Sequence, residues 1–169
     1  MDEKKLWEEC VAFHGHVCGG LTIGFKAAIY ALELMKTERA GDEELVCIAE
    51  NDACGIDGIQ YIAGCTIGKG NLLFRLRGKQ AYNFYNRKSG KAVRLILKEL
   101  GISKDKMLDM PAKDLFEITE VKFELPQNAN IFKSYDCDLC GEKTADHFLR
   151  LQDGKKVCLD CFNDDIRFA

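Results

Sequence analysis

The sequence lacks any long run of apolar residues. None approaches the roughly 18 consecutive apolar residues that a membrane-spanning helix needs, which excludes an integral membrane protein of that type. The first ten residues, MDEKKLWEEC, carry acidic side chains where a secretory signal has an uncharged apolar stretch. We therefore expect a soluble, cytoplasmic protein without a membrane partner.

A strong excess of positive charge is also missing. The chain has 24 Lys and Arg residues against 27 Asp and Glu residues, a net charge of -3. This balance excludes a polycation that binds nucleic acid indiscriminately. Residues 75–98 nevertheless contain eight basic residues and no acid, whereas residues 1–60 contain twelve acids and five bases. The basic segment has two interpretations, a face for an anionic ligand or RNA, and a solvated surface balanced by acids elsewhere in the fold.

Three aromatic residues, Tyr82, Phe84 and Tyr85, lie within this basic segment. They occur in a predicted strand, where aromatic side chains favour packing. We interpret them first as packing residues and only second as a platform on which nucleic-acid bases could stack.

Prolines are scarce, and one of only two, Pro126, lies in a polar, turn-rich segment at residues 124–130. Such a segment is typical of a linker. The 47% of hydrophobic residues is enough for a core, because a chain of this size hides roughly 70% of its unfolded surface. Disorder is therefore excluded. We expect two domains, a core of residues 1–124 and a small domain of residues 125–169.

Hydrophobic patterning in the core domain predicts a mixture of helices and strands. Helices are predicted around residues 6–11 and over 21–35, 55–64 and 92–100, and strands over 45–49, 71–77, 80–86 and 118–123. The second and third strands are expected to form a hairpin around Gly78, and Gly101 is expected to end the last helix. Because helices and strands do not alternate strictly, the pattern favours an α+β core rather than a doubly wound sheet.

Nine cysteines stand out in a chain without an export signal, where they indicate metal ligation or redox chemistry rather than structural disulfides. Two Cys-x-x-Cys pairs near the end are separated by seventeen residues, the spacing of a four-cysteine zinc site. They are Cys137, Cys140, Cys158 and Cys161. Four thiolates would close the coordination sphere, so we predict a structural zinc and not a catalytic one.

The residues around these pairs predict a zinc finger. Asp153-Gly154 favours the turn of a hairpin over residues 147–157, and residues 162–168 are expected to form a short helix. Two cysteine knuckles, a hairpin and a helix together resemble a treble-clef zinc finger. Chance clustering and a redox dithiol pair are the alternatives. His147 is interpreted as a hairpin residue rather than a further ligand.

The core domain contains a second group of metal-ligand side chains in the stretch Phe13-His-Gly-His-Val-Cys-Gly-Gly20. His14, His16 and Cys18 occupy alternate positions, which in an extended segment would point to the same side. Imidazole and thiolate suit zinc or a related transition metal. The alternative is a glycine-rich connection between two helices, with both imidazoles bonded to backbone carbonyls and the cysteine buried.

A third stretch, residues 51–60, adds Cys54 and Asp57. Cys54 is expected at the start of a helix, where amide groups and the helix dipole lower the pKa of a thiol. Cys65 lies eleven residues later, roughly 16 Å away along a continuous helix, so these two cysteines could not share one ion. We favour His16, Cys18 and Cys54 as ligands. His14 and Asp57 are next in line, and which of the two cysteines joins the site is left open.

Residues 64–70 superficially resemble a phosphate-binding loop. The segment is one residue short, lacks the hydroxyl residue after the lysine, and leads into a predicted strand, so we reject a nucleotide-binding loop. An anion-binding nest with Thr66 and Lys69 as donors is one interpretation. A tight turn between helix and strand is the other.

The chain resembles the E-subunit family of formylmethanofuran dehydrogenase. The resemblance rests on Phe13-His-Gly-His-x-Cys18-x-Gly20 and on Cys54-x-x-Asp57-x-x-Gln60, which continues into Gly64-Cys-Thr-x-Gly-Lys-Gly-Asn71. It implies an α+β core that forms homodimers, with a metal-binding pocket near His16, Cys18 and Cys54. The zinc-finger tail is similar to the auxiliary treble clef that some members carry.

The family name refers to a molybdenum or tungsten enzyme of methanogenesis that reduces carbon dioxide onto methanofuran. This chain has no three-cysteine run of a ferredoxin cluster and no sign of a pterin-binding domain. We therefore expect a dimeric, metal-binding accessory protein of molybdenum- or tungsten-dependent one-carbon metabolism. It would hold structural zinc in the tail and a second transition metal, zinc as first choice, in the core, with molybdenum or tungsten enzyme subunits as partners. The alternative is a zinc-finger module for RNA or a partner protein, with a core that only dimerises.

Overall fold

The computed structural model describes residues 2–99, 101–102, 104–125 and 132–163. The chain divides into two compact units, Met1–Ala129 and Asn130–Ala169. The first unit mixes helices with a five-stranded sheet, and the second contains short strands around four cysteines. The expected α+β class, with a small cysteine-rich unit after the core, is confirmed.

Two helices open the first unit. Helix α1 covers Glu3–His14 and begins at Asp2, whose carboxylate accepts a hydrogen bond from the Lys4 amide at 3.1 Å. Helix α2 covers Gly19–Met35 and is apolar almost all round, which explains why it is the buried helix of the unit. The rings of Trp7 and Phe25 pack edge to face with centroids 5.0 Å apart and join the two helices.

The five strands of the sheet lie in the order β2-β1-β3-β4-β5. Their bounds are Leu45–Ala49 for β1, Leu72–Phe74 for β2, Ala81–Asn86 for β3, Ala92–Leu97 for β4 and Phe116–Thr119 for β5. Strand β1 pairs parallel with β2, and the other pairs are antiparallel. Every residue of β1 is buried, as its apolar sequence predicts.

The predicted hairpin around Gly78 is wrong. Strands β2 and β3 do not pair with each other, because β1 lies between them. The fully apolar β1 needs a neighbour on both edges, and the connection between β2 and β3 crosses the end of β1 instead of turning back. There the amides of Arg77 and Lys79 donate to the carbonyl oxygen of Glu50, at 2.8 and 3.4 Å.

The helix predicted over residues 92–100 is also wrong, since residues 92–97 form strand β4; Leu100 lies outside the described residues. The alternation of side chains between the two faces of the sheet explains why this segment is a strand. Val93 and Leu95 join the main core, whereas Arg94 between them reaches the buried carboxylate of Glu50, with Nε 2.5 Å from Oε1. Tertiary pairing with β3 and β5 thus decides the structure of a segment whose composition also suits a helix.

Two further boundaries differ from the prediction. The helix expected over residues 55–64 is an α-helical turn, α3 (Gly55–Gly58), that continues as a π-helix over Ile59–Ala63. The last strand of the first unit is β5, over Phe116–Thr119, which begins earlier than the strand expected over residues 118–123. The segment after β5 packs Val121 and Phe123 against Val46, Ile48 and Tyr85, a small second core. Two short helices, α4 (Lys104–Asp109) and α5 (Ala112–Leu115), precede β5.

The second unit is built from two hairpins and a short 3-10 helix. Strands β6 (Ser134–Asp136) and β7 (Lys143–Ala145) form one hairpin, and β8 (Arg150–Gln152) and β9 (Lys155–Val157) form the other. The second hairpin turns at Asp153 and Gly154, both at positive φ, as the Asp-Gly pair predicts. The 3-10 helix, Asp146–Phe148, occupies the expected start of that hairpin. The helix predicted over 162–168 falls mainly on residues 164–168, which lie outside the described residues.

Membrane spans are not found among the helices of the described residues. Within that part of the chain, none combines the length and the apolar character that crossing a membrane would require.

Candidate metal centres

The first candidate centre is the four-cysteine cluster of the second unit. The Sγ atoms of Cys137, Cys140, Cys158 and Cys161 lie within 4.8 Å of one another. The backbone closes the first knuckle, because the amide of Gly141, at φ 78, donates to the carbonyl of Cys137. The Cys158 amide donates to Cys137 Sγ at 3.3 Å, so backbone as well as side chains converge on one point.

The pKa values of two thiols of this cluster, Cys137 and Cys161, lie far apart. Hydrogen bonds from the backbone amides of Cys140 and Cys158 lower the pKa of Cys137 to about 6. The neighbouring thiol of Cys158 raises the pKa of Cys161 to about 12. Four sulfurs this close cannot all become thiolates without a cation to offset their repulsion. The donor set therefore fits a tetrahedral zinc ion closed by four sulfurs.

The second candidate centre lies in the core. Ligand atoms of His14, His16 and Cys18 lie within 4.8 Å of one another. They converge for a different reason from the one expected, because the segment is not extended. His14 is the last residue of α1, Gly15 turns the chain at φ 94, and Cys18 caps the start of α2. A left-handed glycine between two helices, rather than alternation along a strand, brings the side chains together.

Cys18 is the thiol at the centre of this group. Its Sγ accepts a hydrogen bond from the Leu21 amide at 3.3 Å and lies 3.8 Å from His14 Nε2. Burial raises the pKa of Cys18, but its interactions with the Leu21 amide, His14 and Cys54 outweigh that effect and leave the pKa below its ordinary value. The helix start thus favours a thiolate at Cys18.

Cys54 lies beside Cys18 and is exposed. The expectation that its helix start lowers its pKa is wrong: interaction with the Cys18 thiol, followed by burial, raises the pKa of Cys54. Cys54 precedes only a short turn of α-helix and makes no side-chain cap. Of two adjacent thiols, the one that caps the 17-residue helix α2 ionises first.

Cys65 lies outside the cluster. It is fully buried, it donates a hydrogen bond to the carbonyl of Leu45 at 3.4 Å, and burial raises its pKa to about 12. Cys10 and Cys47 are fully buried as well and belong to the main core. Of the two cysteines between which the sequence does not choose, the structure places Cys54 near Cys18.

Asp57 and Gln60 extend the core cluster through His14. Asp57 Oδ2 lies 2.6 Å from His14 Nδ1, and Gln60 Nε2 donates to Asp57 Oδ1 at 3.1 Å. The hydrogen bond with Asp57 raises the pKa of His14. His16 stacks on His14 with ring centroids 4.5 Å apart and is exposed. The cluster therefore has a solvent-facing side.

Close packing of helices brings Cys54 and Asp57 to this place. A Cβ atom at Gly24 would overlap the backbone of Gly55, and one at Gly58 would lie 2.5 Å from the Phe25 amide nitrogen. The axes of α2 and α3 can approach this closely only because glycines face each other. The sequence patterns did not predict this contact; its signal is a glycine at position 24 inside an otherwise apolar helix.

The loop at residues 64–70 is a structural turn. The side chain of Asn71 accepts from the Thr66 amide at 2.8 Å, the Thr66 hydroxyl accepts from the Lys69 amide, and Lys69 Nζ donates to the carbonyl of Ala40. The amides of Thr66 and Lys69 and the ammonium group of Lys69 thus have partners within the protein, which favours the turn over the nest.

The aromatic residues of the basic segment are packing residues. Tyr82 and Phe84 are fully buried and Tyr85 is nearly so. Arg94 is buried in its pair with Glu50. A base-stacking platform on this strand is therefore wrong, because bases cannot reach buried rings.

Family comparisons agree with this architecture. Residues 13–130, more than half of the chain, match the family described as FmdE, Molybdenum formylmethanofuran dehydrogenase operon. The chain belongs to the FmdE family. Residues 130–167 match a second description, the prokaryotic dksA/traR C4-type zinc finger. Both the predicted family resemblance and the predicted four-cysteine finger are confirmed, and the finger indicates a structural zinc.

A solved FmdE-like structure shares the fold. It is described as a tungsten formylmethanofuran dehydrogenase FmdE-like protein from Syntrophus aciditrophicus, with a TM-score of 0.67 and 23% identity. The alignment covers 94% of this chain and 91% of that one. A probable S-adenosyl-L-methionine-binding protein of Archaeoglobus fulgidus is 27% identical over 188 residues, covering 88% of this chain. The chain spans about half the length of that relative, 50%.

Proposed function

We propose that this FmdE-family protein is a metal-binding accessory protein with two ions of different character. The four-cysteine cluster holds a structural zinc. A second transition-metal ion, zinc as first choice, binds at the core cluster through His14, His16 and Cys18, beside the exposed thiol of Cys54. The observation that carries the proposal is the convergence of two imidazoles and a thiol within 4.8 Å, beside an exposed second thiol.

The chemistry of the donors supports a transition metal. Imidazole nitrogen and thiolate sulfur are borderline and soft ligands, which favour zinc and its neighbours over magnesium or calcium. Cys18 is the donor whose pKa is already lowered, so it offers a thiolate more readily than an ordinary cysteine. His16 and Cys54 are exposed, so a small molecule has access to the site.

Because a small molecule can reach the core site, the two ions would differ in function. A finger ion enclosed by four sulfurs has no position for a substrate. A core ion held by three donors and reached by solvent would polarise a carbonyl or activate a water molecule when bound. His16 and Cys54, which face the solvent, would be the residues nearest to such a ligand.

The proposal also includes a biological setting. We infer that the protein works in the cytoplasm as a homodimer, beside the subunits of a molybdenum- or tungsten-dependent one-carbon enzyme. The FmdE match and the description of the Syntrophus aciditrophicus structure support the link to such an enzyme. Nine free thiols and two metal clusters suit a reducing compartment.

Metal analysis of the purified full-length chain tests the core ion. The wild type should contain two transition-metal ions and the Cys18→Ser variant one, because serine retains the helix cap but not the thiolate. Cys65→Ser is the matched control. It changes a cysteine outside the cluster, its hydroxyl can still donate to Leu45, and it should keep two ions. An unchanged metal content in Cys18→Ser would eliminate the core site.

A further inference from the structure

The hydrogen bonds of His14 distinguish its two ring nitrogens. Nδ1 lies 2.6 Å from Asp57 Oδ2, whereas Nε2 faces the thiol of Cys18 at 3.8 Å. The second oxygen of Asp57 accepts a hydrogen bond from Gln60 Nε2 at 3.1 Å. Both carboxylate oxygens are thus engaged, and the chain Gln60, Asp57, His14 ends at the ligand cluster.

The direction of these bonds fixes the tautomer of His14. An ionised carboxylate can only accept hydrogen bonds, so the proton of the neutral ring must lie on Nδ1. The lone pair of the ring is then on Nε2, the nitrogen that faces Cys18. A metal-binding histidine commonly donates its other N–H to a carboxylate in this way, which orients the ring and makes it a stronger ligand.

We infer that Asp57 and Gln60 are positioning residues, which hold His14 as the Nε2-ligating tautomer for the core ion. The inference rests on the proposed core site and adds two residues that act through His14 rather than by touching the metal. Asp57 and Gln60 are three residues apart where α3 passes into the π-helix, so one helical face presents both side chains. The side chain of Asp57 is 34% exposed, and its bond to Gln60 keeps it from rotating into the solvent.

Loss of the carboxylate should weaken the site without removing a ligand. In Asp57→Asn the neutral amide is a poorer acceptor, so His14 also populates the Nε2–H tautomer, which cannot bind a metal through that nitrogen. We expect the affinity for the second equivalent of Co²⁺ to fall about 10–100-fold, the range for partners of metal-binding histidines. Gln60→Ala, which removes one hydrogen bond to the carboxylate, should cost about fivefold. Asp52→Asn, a nearby exposed acid, should change nothing.

Two measurements on the full chain separate the possible results. Co²⁺ titration, with the finger already loaded with zinc, gives the affinity and the thiolate-to-cobalt absorption of the core site. Long-range ¹H–¹⁵N spectra of the core-metal-free protein at alkaline pH report the tautomer of each of the three histidines. Wild-type His14 should be protonated on Nδ1, and Asp57→Asn should shift it toward Nε2–H. A variant that cannot fold would show the averaged histidine signals of an unfolded chain, in which case Gln60→Ala provides the test.

The outcomes distinguish this inference from the proposed function. Weaker cobalt binding in Asp57→Asn together with the tautomer change supports it. A wild type that binds a second ion, with Asp57→Asn binding it equally tightly, overturns the positioning role alone. A wild type that binds only the finger ion overturns the core site and with it this inference.

Discussion

The four cysteines of the finger lie between residues 137 and 161, in two knuckles whose spacing is visible in the sequence. The side chains around the core cluster come from the end of α1, the turn that carries His16, the start of α2 and the start of α3. Short hairpins suffice to close the finger around its sulfurs. His14, His16 and Cys18 meet at the local turn between α1 and α2, but Cys54 and Asp57 join them only because α2 and α3 pack closely. Local spacing therefore defines the finger ion, whereas the complete core site also depends on tertiary structure.

The finger ion and the core ion would also contribute differently to the stability of their units. The second unit has a small apolar cluster, formed by Cys137, Val157 and Cys158 with Cys161 and Phe162 packed against it. A unit with so little core needs its metal to fold. The first unit has an extensive core of its own and should fold with or without the second ion.

The largest effect is expected at the finger. Cys158→Ser should release the zinc and unfold the second unit, because apparent zinc-binding free energies of such sites are on the order of 10 kcal/mol or more. Metal analysis should show one ion fewer, and NMR spectra should lose the dispersed signals of residues 134–157. Glu142→Gln, an exposed change beside the first knuckle, is the control and should keep both the zinc and the dispersed signals. A Cys158→Ser finger that stays folded without zinc would contradict the claim that the second unit needs its metal to fold.

A smaller effect is expected at the buried ion pair of the first unit. The side chains of Glu50 and Arg94 are 1% and 3% exposed, so Arg94→Met leaves a buried carboxylate without its partner. We expect the free energy of unfolding of this unit to fall by about 3–5 kcal/mol. Lys91→Met, an exposed change one residue before β4, should stay within about 0.5 kcal/mol. The finger zinc should remain bound in both variants.

The same pair predicts a pH dependence. Burial raises the pKa of Glu50, but Arg94 and Asn83 outweigh it and leave the pKa below 4.5. The wild-type pair therefore stabilises the fold above pH 4.5 and loses this contribution as pH falls through the lowered pKa. In Arg94→Met burial dominates, so Glu50 takes up a proton more readily. The difference in free energy of unfolding between wild type and Arg94→Met, measured by urea unfolding, should be largest at neutral pH and shrink on acidification. A difference that is independent of pH would contradict the role assigned to the pair.

The smallest loss of stability is expected for Gly24→Ala, and this variant tests most directly whether the core site depends on helix packing. Gly24→Ala places a methyl group against the backbone of Gly55 and should cost about 1–3 kcal/mol. Separation of α2 from α3 moves Cys54 and Asp57 away from Cys18 and His14. We expect loss of the core ion and retention of the finger zinc by metal analysis. Gly68→Ala, where a Cβ meets nothing within 4 Å, is the control. Retention of both ions in Gly24→Ala would show that the core site does not depend on this contact.

Sequence patterns predicted the parts of the molecule that are determined locally. The buried helix α2, strand β1, the hairpin at Asp153-Gly154 and the cysteine pairs all have signals within short windows. The pairing of β2 with β1 and the strand conformation of β4 could not be predicted, because long-range contacts decide both. Sequence patterns favour Cys54 over His14 as a ligand for a similar reason. The role of His14 depends on a left-handed Gly15 and on Asp57, which is remote in the chain.

The most direct test of the central claim is anomalous diffraction at the zinc absorption edge from crystals of the full-length protein grown with zinc. Two peaks are predicted, one enclosed by the four cysteines and one among His14, His16 and Cys18. A peak in the finger alone, with the core side chains in place but no ion among them, would contradict the account.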